Sequence, residues 1–183
     1  MRKYLFFIAM LICTTFTFAQ GPNFQTYSAD LLVIATKGGE NIQWQNKDIR
    51  VTLNYKTGSF KAVINNNDFY NKQTNIKVSE DKISSNTEFL IIGNMPINQI
   101  INQKLINQNY DVELQLTNKE ISFSETINFK MNIMRPSQNA SSYRVFTLTG
   151  VLYNDELNLP AFKGYDNEVE VHIIFNAFWT GER

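Results

Sequence analysis

The sequence predicts an all-β fold, a single antiparallel β-barrel of about eight strands with one short helix or loop as a plug. Three observations carry that expectation. Long segments alternate apolar and polar residues with the period of two that a half-buried strand requires. The cleanest is Glu168–Phe178, where Val169, Val171, Ile173 and Phe175 face one side and Glu168, Glu170, His172 and Asn176 the other. Short turns containing Gly or Asn separate these segments. Only the stretch after Asn94 has helical spacing, so all the strands can be antiparallel neighbours without crossover helices.

Residues 27–36 are apolar on both faces from Leu31 to Ala35, as suits a strand at a central position. Lys37-Gly38-Gly39-Glu40 ends it in flexible turn residues. Ile49, Val51, Leu53 and Tyr55 alternate with Arg50, Thr52, Asn54 and Lys56, and Phe60, Ala62 and Ile64 return as the partner. Gly58 can take the positive φ that the tight turn Lys56-Thr57-Gly58 demands, so residues 49–64 read as a hairpin. Asn65-Asn66-Asn67 and Asp68-Phe69-Tyr70 form a loop, and residues 76–78 and 88–92 two short strands. Asn94 as an N-cap, Pro96 in a first turn and Ile97, Ile100, Ile101 and Leu105 at helical spacing give a short amphipathic helix or a loop with hydrophobic anchors. Either plugs an end of the core.

Val112, Leu114 and Leu116 make the next strand, and Asn118-Lys119 a two-residue turn. Ile121, Phe123, Ile127, Phe129, Met131 and Ile133 then keep one parity, broken only by Glu125, in a long strand with a bend near residues 124–126. Pro136, which has no N–H for a ladder, ends it. Residues 143–152 form the penultimate strand, with a bend at Thr149-Gly150, and residues 153–165 a long connection carrying Pro160 and Gly164.

The amino terminus sets the compartment. Basic Arg2 and Lys3, an apolar stretch over residues 4–18 and small residues before Gln20 make residues 1–19 a secretory signal peptide. Residues 20–183 are then one β-barrel domain, periplasmic or secreted. The apolar stretch is too short to span a bilayer, so no stable membrane insertion is expected. Cys13, the only cysteine, follows bulky Ile12 where a lipid-attachment signal wants a small residue. It leaves with the leader, and the mature chain has no disulfide and no thiolate chemistry. The 17 Lys and Arg less Arg2 and Lys3 leave 15 against 17 Asp and Glu, a net charge of −2. A near-neutral chain without a basic patch speaks against nucleic acid as a partner. A homodimer is left open.

His172 is the only histidine, so a Ser-His-Asp hydrolase would need it as its base. It stands on the solvent side of its strand and no GxSxG accompanies it, which reads as a non-enzyme with no catalytic residues. Glu168, Glu170 and His172 alternate on one face, but a metal site gathers ligands from more than one strand. Asp155, Glu156 and Asp166 match no calcium-loop spacing. No metal and no other cofactor is expected. Phe60, Phe89, Phe123, Phe129, Met131, Phe146, Phe175 and Phe178 are an aromatic and methionine set that suits an apolar interior. They either line a ligand cavity or simply pack, and a barrel of this size admits both. Trp179 reads as a plug or edge cover.

Four stretches are similar to one family. Gly39-Glu40-Asn41-Ile42 followed by Tyr55-Lys56-Thr57-Gly58-Ser59-Phe60 looks like an early strand pair with its Gly-containing turn, and Leu116-Thr117-Asn118-Lys119-Glu120-Ile121 like a middle turn. Residues 146–157 look like a penultimate strand, and Asp166-Asn167-Glu168-Val169-Glu170-Val171 like a terminal one. In these the chain resembles a divergent member of the YceI-like family, exported lipocalin-like barrels found widely in bacteria. The family's frequent histidines in the first strand and before the middle of the barrel are not present. The resemblance implies an exported binding and transport protein. It would hold an amphiphilic or isoprenoid-type lipid, a quinone or a polyprenyl chain, in an apolar cavity, without catalytic residues. Leu53, Phe60, Leu114, Phe129, Met131, Ile133, Phe146, Val171, Ile173 and Phe175 would line it. The alternative is a non-catalytic structural or interaction module with a packed core.

Overall fold

Alternating side chains become eleven strands in the computed structural model, which describes residues 23–25, 29–77, 88–97, 99, 108–134, 143–157 and 163–178. They are β1 (Asn23–Gln25), β2 (Ala29–Lys37), β3 (Glu40–Asn46), β4 (Arg50–Asn54), β5 (Ser59–Asn65) and β6 (Tyr70–Asn71). After these come β7 (Glu88–Asn94), β8 (Gln108–Asn118), β9 (Phe123–Met134), β10 (Tyr143–Tyr153) and β11 (Glu168–Phe178). All pair antiparallel in one sheet of order β1-β4-β5-β7-β8-β9-β10-β11-β2-β3-β6. The all-β, antiparallel expectation stands, and β2 is central, between β11 and β3. The expected leader, residues 1–19, lies outside the described residues.

Two features of the expected barrel are corrected. Among the described residues the hydrogen-bonded ladder does not close, because β1 and β6 end it on either side, and it holds eleven strands rather than about eight. Three strands carried no clean signal. β1 and β6 are three and two residues long, too short for a period to show. β3 reads ENIQWQN, and its fully buried residue is the polar Asn46, so the apolar alternation is masked. The sheet nevertheless curls strongly. Phe60 on β5 packs against Phe175 on β11, five strands away in the sheet order, with ring centroids 5.7 Å apart. Asn46 joins the two flanks, its Nδ2 donating to the Asn65 carbonyl at the end of β5 (3.0 Å) while its Oδ1 accepts from the Asp48 N–H (2.9 Å).

Local chemistry explains the turns. Gly58 sits at φ +79°, its N–H donates to the Asn54 carbonyl, and the Asn54 side chain accepts from the Lys56 and Thr57 amides, as the hairpin required. The β8–β9 turn is longer than two residues. Asn118 Oδ1 accepts from the N–H groups of Glu120 and Ile121, and Ser122 takes φ +52°, so Ile121 belongs to the turn and is exposed instead of starting the strand. Ile76 is 65% exposed and outside any strand, because Asn71 and Thr74 fold residues 71–76 into a side-chain-capped turn. β9 and β10 run unbroken through residues 124–126 and 149–150, and the connection after β10 opens with one helical turn, Asn154–Leu157. Ile97 is buried beside Met95, and Ile97 and Gln99 are helical; Ile100, Ile101 and Leu105 lie outside the described residues.

Candidate functional site

The inward parity of each strand decides which side chains meet. Leu53 comes from β4, Phe60 from β5, Leu114 from β8, Phe129, Met131 and Ile133 from β9, Phe146 from β10, and Val171, Ile173 and Phe175 from β11. The structure brings all ten into one apolar core, none more than 8% exposed. Cross-strand register explains the contact. Phe146 stands opposite both Phe175 and Ile133, and Leu148 opposite both Ile173 and Met131. The rings of Phe146 and Phe175 stack with centroids 4.8 Å apart and planes at 5°, an offset arrangement worth about 0.5–1.5 kcal/mol beyond the area it buries. Val51, Ile91, Ile127 and Leu148 are equally buried on the same face. Of the other aromatics expected there, Phe89 and Phe123 pack edge-on at its margin, 6.2 Å apart. The side chain of Phe178 and all of Trp179 lie outside the described residues.

Two polar residues enter this interior that sequence reasoning had assigned no such role. Among the described residues, Asn46 and Asn118 are the buried polar side chains, with no charged group beside them in that set. The signal that could have found Asn118 was parity, since it continues Val112, Leu114 and Leu116 at two-residue steps.

The outer face carries the only histidine. His172 is half-buried, with Nε2 3.0 Å from Glu170 Oε2 and Nδ1 3.3 Å from Thr149 Oγ1. With its proton on Nε2 the ring donates to the carboxylate and accepts the threonine hydroxyl, so the imidazole is pinned between β10 and β11 neighbours on the side away from the core. No three His, Cys, Asp or Glu side chains converge on a metal-sized point among the described residues. Beside Thr149 the wall divides. The β9–β10 ladder stops at Lys130 and Thr149, while β8 and β11 continue to pair along the outer flanks of those strands. The gap is a cleft of about 450 Å³ lined by Glu125, Asn128, Lys130, Thr149, Leu152 and Tyr153, among others.

No protein-family model matches the sequence, and no curated protein matches it. Among solved structures, the chain is similar to a polyisoprenoid-binding domain from Saccharophagus degradans implicated in plant cell wall breakdown. The TM-score is 0.62 at 10% identity, over 85% of this chain and 98% of that one. At that identity the likeness is one of fold alone.

Proposed function

We propose that this chain is a non-enzymatic binding protein that holds an amphiphilic or isoprenoid-type chain along the apolar inner face of its curled sheet. The observation that carries the proposal is that inner face. It runs from β4 to β11 and is built of aliphatic and aromatic side chains, and the buried polar groups that meet it among the described residues are the Asn46 and Asn118 amides and the Tyr55 hydroxyl. The fold it shares with a polyisoprenoid-binding domain supports the same reading. The mechanism is desolvation. Burying each methylene contributes about 0.8 kcal/mol, so a long chain reaches useful affinity without a charged anchor. The leader-like residues 1–19 support export, and no helix among the described residues is long and apolar enough to cross a membrane.

The competing function is a structural or interaction module, favoured by the tight Phe60, Phe146 and Phe175 cluster. Organic extraction and mass spectrometry of protein purified from its own host separates the two. The carrier yields a stoichiometric apolar molecule, and a packed module yields none. Met131→Trp adds a second arm. In a carrier it lowers chain uptake while the fold persists, whereas in a filled core overpacking costs about 1–3 kcal/mol of stability in a denaturant titration.

A further inference from the structure

Asn118 ends β8 on its inward parity and is 1% exposed. Its Oδ1 is committed to the turn by the two N–H groups of Glu120 and Ile121 (2.9 and 3.3 Å). Flipping the amide would leave both of those donors facing an NH₂, so the orientation is fixed. Nδ2 is buried without a hydrogen-bond partner among the described residues. A buried donor in that state is destabilising, and native folds rarely keep one without a use. Its surroundings are aromatic. Phe123 is its cross-strand partner on β9, and on β7 the register that pairs Leu90 with Thr117 brings Phe89 alongside it. Those two rings meet edge to face and are only partly buried, so Asn118 lies beneath the margin of the apolar face.

We infer that Asn118 is the polar contact of the ligand site, its Nδ2 donating to a neutral carbonyl oxygen at the head of an apolar chain, beneath the Phe89 and Phe123 rings. The assignment rests on the carrier function proposed above and specifies which amphiphile it takes. Nδ2 can only donate, so the head group must accept. Lys119 offsets Glu120, and Arg50 pairs with Glu88 at 3.6 Å, so the charges around the site balance and give an anionic head no net attraction. The two rings close over the head group and exclude water, which strengthens a single hydrogen bond.

The test uses farnesylacetone, an isoprenoid ketone, and squalene, an isoprenoid hydrocarbon without an acceptor, with the wild-type chain and Asn118→Ser. The serine hydroxyl can still accept from the turn amides, and its own O–H sits one atom nearer the backbone than Nδ2, short of the carbonyl that the amide reaches. Asn118→Ser is expected to weaken farnesylacetone about tenfold, the value of one hydrogen bond in a dry site. Squalene affinity should stay the same and the ligand-free melting temperature should not fall. Asn118→Asp, which keeps the capping oxygen and puts an acceptor where the donor was, should weaken the ketone relative to squalene still further. In the wild type, the Asn118 side-chain amide resonances should shift with farnesylacetone and not with squalene. Equal losses for both ligands, an unchanged ketone affinity, or a large drop in ligand-free melting temperature would each overturn the assignment and make Asn118 a turn cap only. If the wild type binds neither probe, the carrier function itself fails, and the assignment falls with it.

Discussion

Tyr55 shows at the residue scale how the interior acts on a polar group that enters it. Its side chain follows β4 into the core and is buried, and that burial pushes the phenol well above its ordinary range, with the positive charge of Arg144 pulling part of the way back. The sign follows directly. The folded protein favours the neutral phenol more than the unfolded chain does, so the contribution is intact below about pH 10 and is lost as pH rises past it, by about 1.4 kcal/mol per unit. Denaturant titrations from neutral to strongly alkaline pH should therefore show wild-type stability falling above pH ~10 more steeply than that of Tyr55→Phe. The two curves should run parallel below it. A difference that appears only below pH ~10 would mean that the hydroxyl matters as a hydrogen-bonding group and its ionisation does not.

At the scale of elements, β9 and β10 show how a strand pair is held where its ladder has ended. Gly150 faces inward, and a Cβ there would lie 2.8 Å from Ile127 Cγ2 and 2.9 Å from Phe129 Cδ1, so the missing side chain is what lets β10 lie against the β9 side chains beside the cleft. Gly150→Ala should cost about 1–3 kcal/mol in chemical denaturation, the usual result of forcing a methyl into a filled core. An unchanged midpoint would show that the Phe129 ring yields freely. The same strands show what was legible beforehand. β9 and β11 are legible because most of their outward residues are polar and most of their inward ones are not, whereas β10, with Val145 and Val151 facing outward, shows mainly as an apolar run. β3 was hidden because Gln43, Gln45 and Asn46 blur the alternation. The open ladder was hidden for a different reason, because main-chain pairing leaves no mark in the side chains. Asn118 belongs to a turn by its sequence, and its amide oxygen caps that turn, but the burial of its other end depends on Phe89 and Phe123 arriving from two other strands.

For the whole molecule the question is what keeps an unclosed sheet curled. The Lys and Arg ion pairs among the described residues contribute little. Arg50–Glu88 and Lys77–Asp68 are both 3.6 Å apart, and the first is well exposed on both sides, where such pairs are typically worth about 0–1 kcal/mol. The apolar face supplies the drive to curl, since rolling the sheet brings β5 against β11 and removes both from water. Burial has no direction, however, and would be satisfied by several registers at the seam. Asn46 selects one. It is fully buried and uses both ends of its amide, donating to Asn65 at the end of β5 and accepting from Asp48, the residue that carries the chain from β3 towards β4. Asn46→Ala removes both bonds and leaves the Asn65 carbonyl and the Asp48 amide without them, which should cost about 1–3 kcal/mol. Because the seam bounds the apolar face, the loss should also show as increased binding of a dye that reports exposed hydrophobic surface, at temperatures where the far-ultraviolet signal of the sheet is unchanged. Asn46→Asp restores the acceptor for Asp48 but not the donor for Asn65, so it separates the two halves of the clamp. If Asn46→Ala lowers stability without raising dye binding, the amide stabilises only its own turn, and the curl is held by the aromatic cluster alone.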